Sequence, residues 1–351
     1  MSRVETTTNF RDSGGVDLGK KLITKDYLIS VYPSIGEQIG IPPELWTWGQ
    51  GTNGALGDNT ATNKSTPVTT FAGGTNWKQV SAGSDLCAAI KTDGTLWTWG
   101  AGTFGQLGDN TVTNKSTPVT TFAGGTNWKQ VSGSYHTAAI KTDGTLWTWG
   151  LGTSGQLGDN TITSKSTPVT TFAGGTNWKQ VGGGSAHCAA IKTDGTLWTW
   201  GAGTNGKLGV NDTTIRSTPV TTFAGGTNWK QVSGGTIHCA AIKTDGTLWV
   251  WGYNGDGGLG TNGGGDKSTP VTTFAGGTNW KQASVRNTNF AAIKTDGTLW
   301  TCGQGAFGAV GVNDTTQRNT PVTTFAGGTN WKQVSGGYYF CAAIQYIDPV
   351  L

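Results

Sequence analysis

LWTWGAGTFGQLGDN, Leu96–Asn110, is the unit from which the chain is built, and its reading decides the fold. Close copies of its opening start at Leu45, Leu96, Leu146, Leu197, Leu248 and Leu299, at intervals of 50 or 51 residues. Two phrases travel with it, STPVTTFAGGTNWKQV downstream and AAIKTDGT just before the next copy. A fixed period of this length is the signature of a solenoid, array or propeller.

Within one period four short segments read as strands, lettered A to D here: NWKQVS, CAAI, LWTWG and TPVTT. Each is alternating or β-branched and is bounded by Gly, Asn, Asp or Pro. KTDG joins B to C as a tight turn with Asp-Gly at its tip. The proline of D (Pro67, Pro118, Pro168, Pro219, Pro270, Pro321) has no N–H for a ladder, so it is expected at the first residue of an outer edge strand. The paired tryptophans of C, such as Trp97 and Trp99, share a face and are expected to pack between neighbouring blades. Four strands per period make a propeller blade. The array opens on C at Leu45 and finishes on B at Ile344. The expectation is therefore an all-β, six-bladed β-propeller over residues 45–351. One blade is shared between the chain's two ends, which zips the circle.

Composition agrees with a packed repeat array. The chain has 351 residues, 34% apolar and 13% charged, with 59 glycines and 17 tryptophans, too aromatic and too weakly charged for a disordered tail. Its net charge of +4 comes without a dense Lys/Arg block, so nucleic acid is not expected as a partner. Of five cysteines, Cys87, Cys188, Cys239 and Cys341 fill one repeat slot that Thr137 and Phe290 fill elsewhere, and Cys302 replaces a repeat tryptophan. That slot reads as a packing site, and its copies should lie too far apart for disulfides. A reducing compartment follows. No apolar run has the length of a signal peptide or a membrane span, so no membrane insertion is expected.

Residues 1–44 stand apart. Met1–Gly15 is polar and reads as flexible until bound. From Lys21 the sequence KLITKDYLISVYPSI offers Thr24 as an N-cap and ends before Pro33. Its apolar residues, Leu22, Ile23, Tyr27, Leu28, Val31 and Tyr32, form a docking segment of about two turns that needs a surface to pack on. That surface is either the array itself or a larger assembly.

W-G-x-G-T-x-G-Q-L-G at Trp99–Gly108 and Trp149–Gly158, G-x-x-H-x-x-A at Gly133–Ala139 and the run D-G-T-L-W-T-W-G resemble the regulator of chromosome condensation repeat. The resemblance spans about 300 residues and implies a propeller whose glycines and histidine slot are mainly structural. The founding member has seven blades and carries a β-wedge used on a small GTPase. Six repeats and no comparable insert stand here, so guanine-nucleotide exchange is not carried over. Trp229–Gly235, W-K-Q-V-S-G-G, also resembles the tectonin repeats of some lipopolysaccharide- and glycan-binding propellers.

The six copies vary unevenly. The B–C turn is KTDGT in every internal copy, and the D–A turn is FAGGTNWK in all six. The A–B connection reads GSDL, GSYH, GSAH, GTIH, RNTN and GYYF, and the C–D connection varies likewise. In an up-down blade those two varied connections emerge on one face, which is expected to be the recognition face. Asn53, Phe104, Tyr135, Asn205, Tyr253, Asn254, Asn287, Asn289, Phe307, Tyr338 and Tyr339 would serve there, aromatic rings stacking on sugars and amides bonding their hydroxyls. Lys64, Lys115, Lys165, Arg216, Lys267 and Arg318 precede strand D as a basic ring. Acidic neighbours such as Asp58, Asp109, Asp159, Asp212 and Asp314 read as local partners, the alternative being a landing ring for phosphate-rich surfaces.

No catalytic constellation, cofactor site or metal site is expected. His136, His187 and His238 share a slot that holds Leu86, Asn289 and Phe340 in other copies, which marks a packing position. The sequence therefore points to a non-enzymatic binding protein. Near-identical copies suggest recent duplication, and a displayed propeller without a secretion signal suits a bacteriophage virion protein. In that reading residues 1–44 dock to other virion proteins, and the propeller meets host-surface glycan, lipopolysaccharide or protein. The alternative is a cytoplasmic protein-interaction scaffold of the chromosome-condensation-regulator type.

Overall fold

The computed structural model describes residues 9–11, 17–20, 44–336 and 341–345. Five successive four-stranded antiparallel sheets follow the order A-B-C-D, the first running through Trp77–Ala82, Leu86–Lys91, Leu96–Gly100 and Lys115–Thr120. These are blades 1 to 5. The other four begin at Trp128, Trp178, Trp229 and Trp280. Before them stands a C–D half-sheet, Trp46–Gly49 with Lys64–Thr69. After them stands an A–B half-sheet, Trp331–Gly336 with Cys341–Gln345. Asn9–Arg11, within the stretch expected to be flexible until bound, pairs with Asp17–Lys20 in a short antiparallel hairpin. The expected docking segment, Leu22 to Tyr32, lies outside the described residues. No helix among the described residues is long and apolar enough to cross a membrane.

Strand B is the buried heart of each blade, its Ala-Ala-Ile run fully covered by the blades on either side. Side-chain amides tie each A strand to the next. Gln79 Nε2 donates to the Val131 carbonyl at 3.0 Å, and Val131 N donates back to Gln79 Oε1 at 3.2 Å. Gln130, Gln231 and Gln282 make the same pair of bonds to the following blade, and Gln180 makes one of them. A primary amide presents a donor and an acceptor, as a peptide unit does, so glutamine here extends the ladder between sheets. The C-strand indoles form a second tie. Trp99, Trp149, Trp200 and Trp251 donate Nε1–H to the carbonyls of Ala55, Gln106, Gln156 and Lys207 in the preceding unit, at 2.9–3.0 Å. The approach is so close that a Cβ on Gly108 would lie 2.5 Å from Trp149 Nε1, which is why a glycine at φ +68° stands there.

Two expectations change. The proline of D lies within the strand, at its fourth residue, beside a register shift opposite Thr98–Gly100. A bulge on an edge strand leaves the missing N–H without cost, so the strand can begin earlier than the proline. The shared sixth blade is also not joined: the two half-sheets are separate sheets. Every other B–C pair is closed by a tight turn, whereas this pair comes from opposite ends of the array and carries the whole loop-closure cost. Apolar residues at the seam are consequently bare. Trp48 is 62% exposed where Trp99 is 0%, Val80 50% where Val131 is 2%, and Ile344 55% where Ile90 is 0%.

Candidate functional site

The varied connections do share one rim. Ala101 N donates to the Asp85 carbonyl at 2.8 Å, Leu151 N to Tyr135 at 3.0 Å, Ala202 N to Ala186 at 2.8 Å and Tyr253 N to Ile237 at 3.1 Å. Each bond joins a blade's C–D loop to its own A–B loop. On the opposite rim the uniform turns interlock, Thr92 N donating to Asn76 and Trp128 N to Gly94.

The uniform rim is uniform for physical reasons. Lys91 Nζ lies 4.7 Å from the ring centroids of both Trp77 and Trp97, and Lys141, Lys192, Lys243 and Lys294 repeat this cation–π clasp. Asp93 Oδ1 accepts from Thr95 N and Thr95 Oγ1, and these bonds hold its carboxyl below the usual range although burial opposes them. Trp77 Nε1 donates to the Gly73 carbonyl, and a Cβ on Gly94 would lie 2.0 Å from the Thr126 carbonyl oxygen. KTDGT and AGGTNW are thus locked by geometry. The phenylalanines of the same turn, Phe71 to Phe325, stay exposed in all six copies.

On the varied rim Asn53, Phe104, Tyr135, Asn205 and Phe307 are exposed and Tyr253 is half-buried. Phe104 and Tyr135 meet edge-to-face at 6.4 Å, bridging blades 1 and 2. Asn254, Asn287 and Asn289 do not belong to the exposed set, because each is buried. Asn254 Nδ2 is spent on Thr261 Oγ1 and the carbonyls of Gly263 and Gly264, and Asn289 Nδ2 on the carbonyl of Gln304. Asn287 takes φ +42° in a tight loop. Tyr338 and Tyr339 lie outside the described residues.

Asn53, Asn205 and Phe307 share a left-handed slot at φ +60°, +61° and +59°. Phe104 and Ser154, in the equivalent loops, escape it because Gln106 and Gln156 supply Oε1 to their amides at 2.8 Å. The identity of the residue two places on therefore selects the loop's backbone and re-aims its tip.

The basic ring is largely neutralised. Lys64, Lys115 and Lys165 pair with Asp58, Asp109 and Asp159 at 3.5, 3.7 and 3.9 Å, while Arg216 and Arg318 pair with Asp212 and Asp314. Lys267 alone of the six has no ion pair among the described residues. Local pairing, not a landing ring, is what the geometry favours.

The histidines are buried between blades. His136 Nε2 lies 2.9 Å from Cys188 Sγ and His187 Nε2 3.0 Å from Cys239 Sγ. Burial pushes His136 and His238 down to about 4 and His187 well below its ordinary value, while the thiols of Cys188 and Cys239 are pushed up. Neutral imidazoles beside protonated thiols hold the blades together and leave no nucleophile poised. No cluster of metal-ligating side chains occurs among the described residues.

One residue of the inner rim escapes sequence reading. Arg286 extends strand A of blade 5, where the other copies have Gly83, Ser134, Gly184, Gly235 and Gly337. Comparing copies position by position, with charge as the flag, would have found it.

Comparison with known proteins fits this architecture. The family model of the RCC1-like domain matches residues 43–285, and that of the regulator of chromosome condensation (RCC1) repeat matches residues 296–344. The ultraviolet-B receptor UVR8 of Arabidopsis thaliana is 30% identical over 305 residues, covering 85% of this chain. The human E3 ubiquitin-protein ligase HERC2 is 31% identical over 221 residues, 61% of this chain. The aligned stretches amount to 58% of UVR8 and 5% of HERC2, so the chain spans only part of either relative. Among solved structures, yeast RCC1 (Prp20) bound to Kap60 gives a TM-score of 0.76 at 19% identity over 87% of this chain and 77% of that one. Human WBSCR16 gives 0.74 at 22% identity over 86% and 82%. With the repeat, the blade order and the family model agreeing over most of its length, the chain belongs to the RCC1-like domain family.

Proposed function

We propose that this protein is a non-enzymatic interaction scaffold whose varied rim binds a partner macromolecule. The observation that carries the reading is the gathering of the A–B and C–D loops, the parts that differ between copies, on one rim, with Phe104 and Tyr135 bridging two blades there. Aromatic side chains with few rotatable bonds are efficient interface anchors. Relatives of this fold include a receptor, and one solved neighbour carries a protein partner, Kap60.

The scaffold we infer is a closed six-bladed ring. Several orphaned groups support closure at one seam. Ala309 is the C–D loop position whose carbonyl accepts an indole N–H in the earlier units, and its slot holds no indole. Beside it is an opening of about 310 Å³ lined by Leu299, Gly311, Trp331, Cys341 and Ala343. Trp48 is the C-strand indole next in register, and Gln333 would bridge to the bare Val80.

The test of function is a paired comparison on the full chain. A partner recovered with the protein should lose binding at least tenfold on Phe104→Ala plus Tyr135→Ala, and keep it on Lys141→Ala of the uniform rim. Loss through Lys141→Ala with retention in the double variant would overturn the assignment of faces. The narrower setting, display on a virus particle with residues 1–44 docked to virion proteins and the rim on host glycan, draws nothing from the relatives and rests on the near-identity of the copies. A peptide of this chain in purified particles would support it.

A further inference from the structure

Strands A of blades 1 to 5 and of the last half-sheet line one axial cavity of about 780 Å³. Its wall carries a ring of serines, Ser81, Ser132, Ser233, Ser284 and Ser335. In four of them the hydroxyl oxygen already accepts a backbone N–H from the neighbouring blade: Gly133 to Ser81 at 3.1 Å, Gly183 to Ser132 at 3.0 Å, Val285 to Ser233 at 3.2 Å and Gly336 to Ser284 at 3.0 Å. A seryl hydroxyl has one hydrogen to give and two lone pairs, of which one is used here. Its hydrogen is not committed to the backbone bond and can be donated to an anion in the cavity.

Arg286 breaks the sixfold pattern in this same wall. Its guanidinium reaches across to blade 1, where Nη1 donates to the Ala82 carbonyl at 3.3 Å. Its other N–H groups have no hydrogen-bond partner among the described residues, and no carboxylate lies within 4 Å of it. Burial lowers its affinity for the proton, while Tyr135 and Cys87 beside it act the other way. Among the described residues, Asp85 is the acidic side chain that lines the cavity. A half-buried cation that keeps one neutral acceptor is costly unless something anionic completes its shell.

We propose that the axial cavity is an oxyanion site, in which Arg286 grips two oxygens of a carboxylate or phosphate group and the inward seryl hydroxyls donate to the rest. The fork of a guanidinium matches two oxygens of either group, which is why both chemistries fit. The site does not depend on what the outer rim binds. Asp85, on the same wall, is a carboxylate that would repel an incoming anion.

The experiment is a titration of the full chain with inorganic phosphate and, separately, with succinate, read by calorimetry and by melting temperature. Phosphate is excluded from protein surfaces and stabilises folded proteins without binding them, so the reading is the difference between wild type and variant. Arg286→Gly restores the residue found in three of the described copies and should fold. It should lose at least tenfold in affinity for whichever anion binds wild type. Arg286→Lys, which keeps the charge and loses the fork, should fall between, and Asp85→Asn should bind several-fold more tightly. Whichever anion binds more tightly names the ligand class. Equal binding by wild type and Arg286→Gly, or no heat with either anion at tens of millimolar, would overturn the proposal.

Discussion

His136 and His238 are neutral in the folded protein because burial disfavours the imidazolium, holding them at about 4 against an ordinary 6.5. In the unfolded chain they protonate near 6.5, so between those values the unfolded state binds more protons. Their stabilising effect is whole above pH 6.5 and is lost as the pH falls to about 4, by roughly 3 kcal/mol for each histidine. Urea melts across that window should show the slope, and His136→Leu, which takes the residue of the first blade, should flatten it by its share. A slope unchanged in His136→Leu would mean that the histidine is solvated. Phe307 is a second test at this scale. It holds a bulky side chain at φ +59° and is 81% exposed, in a slot that Asn53 and Asn205 fill elsewhere. Phe307→Asn should raise stability by about 1 kcal/mol, since asparagine tolerates the left-handed region. If a partner's affinity drops in the same variant, the strain is held for binding.

At the scale of elements, the glutamine bridges join sheets that no backbone ladder connects. Gln130→Ala removes the bonds to Val181 on both sides and leaves a half-buried backbone pair unsatisfied, at a cost of roughly 1–3 kcal/mol in thermal or urea melts. A neutral result would mean that water replaces the amide. The strands were legible from sequence because Val, Ile, Thr and Trp recur between glycine-marked turns. The common rim of the varied loops was legible from connectivity alone. Misreadings came where a side chain's partners lie far along the chain. Asn254 looks like any loop amide until the carbonyls of Gly263 and Gly264 are seen to converge on it. Pro118 looks like a strand start because a bulge cannot be read from one strand. Arg286 reads from sequence as part of the RNTN loop, whose asparagines draw the attention, whereas the strand runs on to include it and turns its side chain to the inner wall.

For the whole molecule the question is the seam. Gly108→Ala would press a methyl group into a buried indole at a left-handed φ, costing roughly 2–4 kcal/mol. Gly311 is the equivalent position, yet the nearest atom to its Cβ site is Thr324 Cγ2 at 3.8 Å. If Trp48 occupies the slot in solution, Gly311→Ala should cost as much as Gly108→Ala. If the slot stays empty, backbone strain alone is left, about 1 kcal/mol. A direct measurement follows from the register that pairs Ala88 with Thr98 and Ala138 with Thr148 in the closed blades, which places Ala342 opposite Thr47. Thr47→Cys with Ala342→Cys, in a Cys341→Thr background, should under mild oxidation form one disulfide within a single chain, found by mass spectrometry on monomeric protein. Free thiols, or disulfides that join two chains, would contradict the closed six-bladed ring.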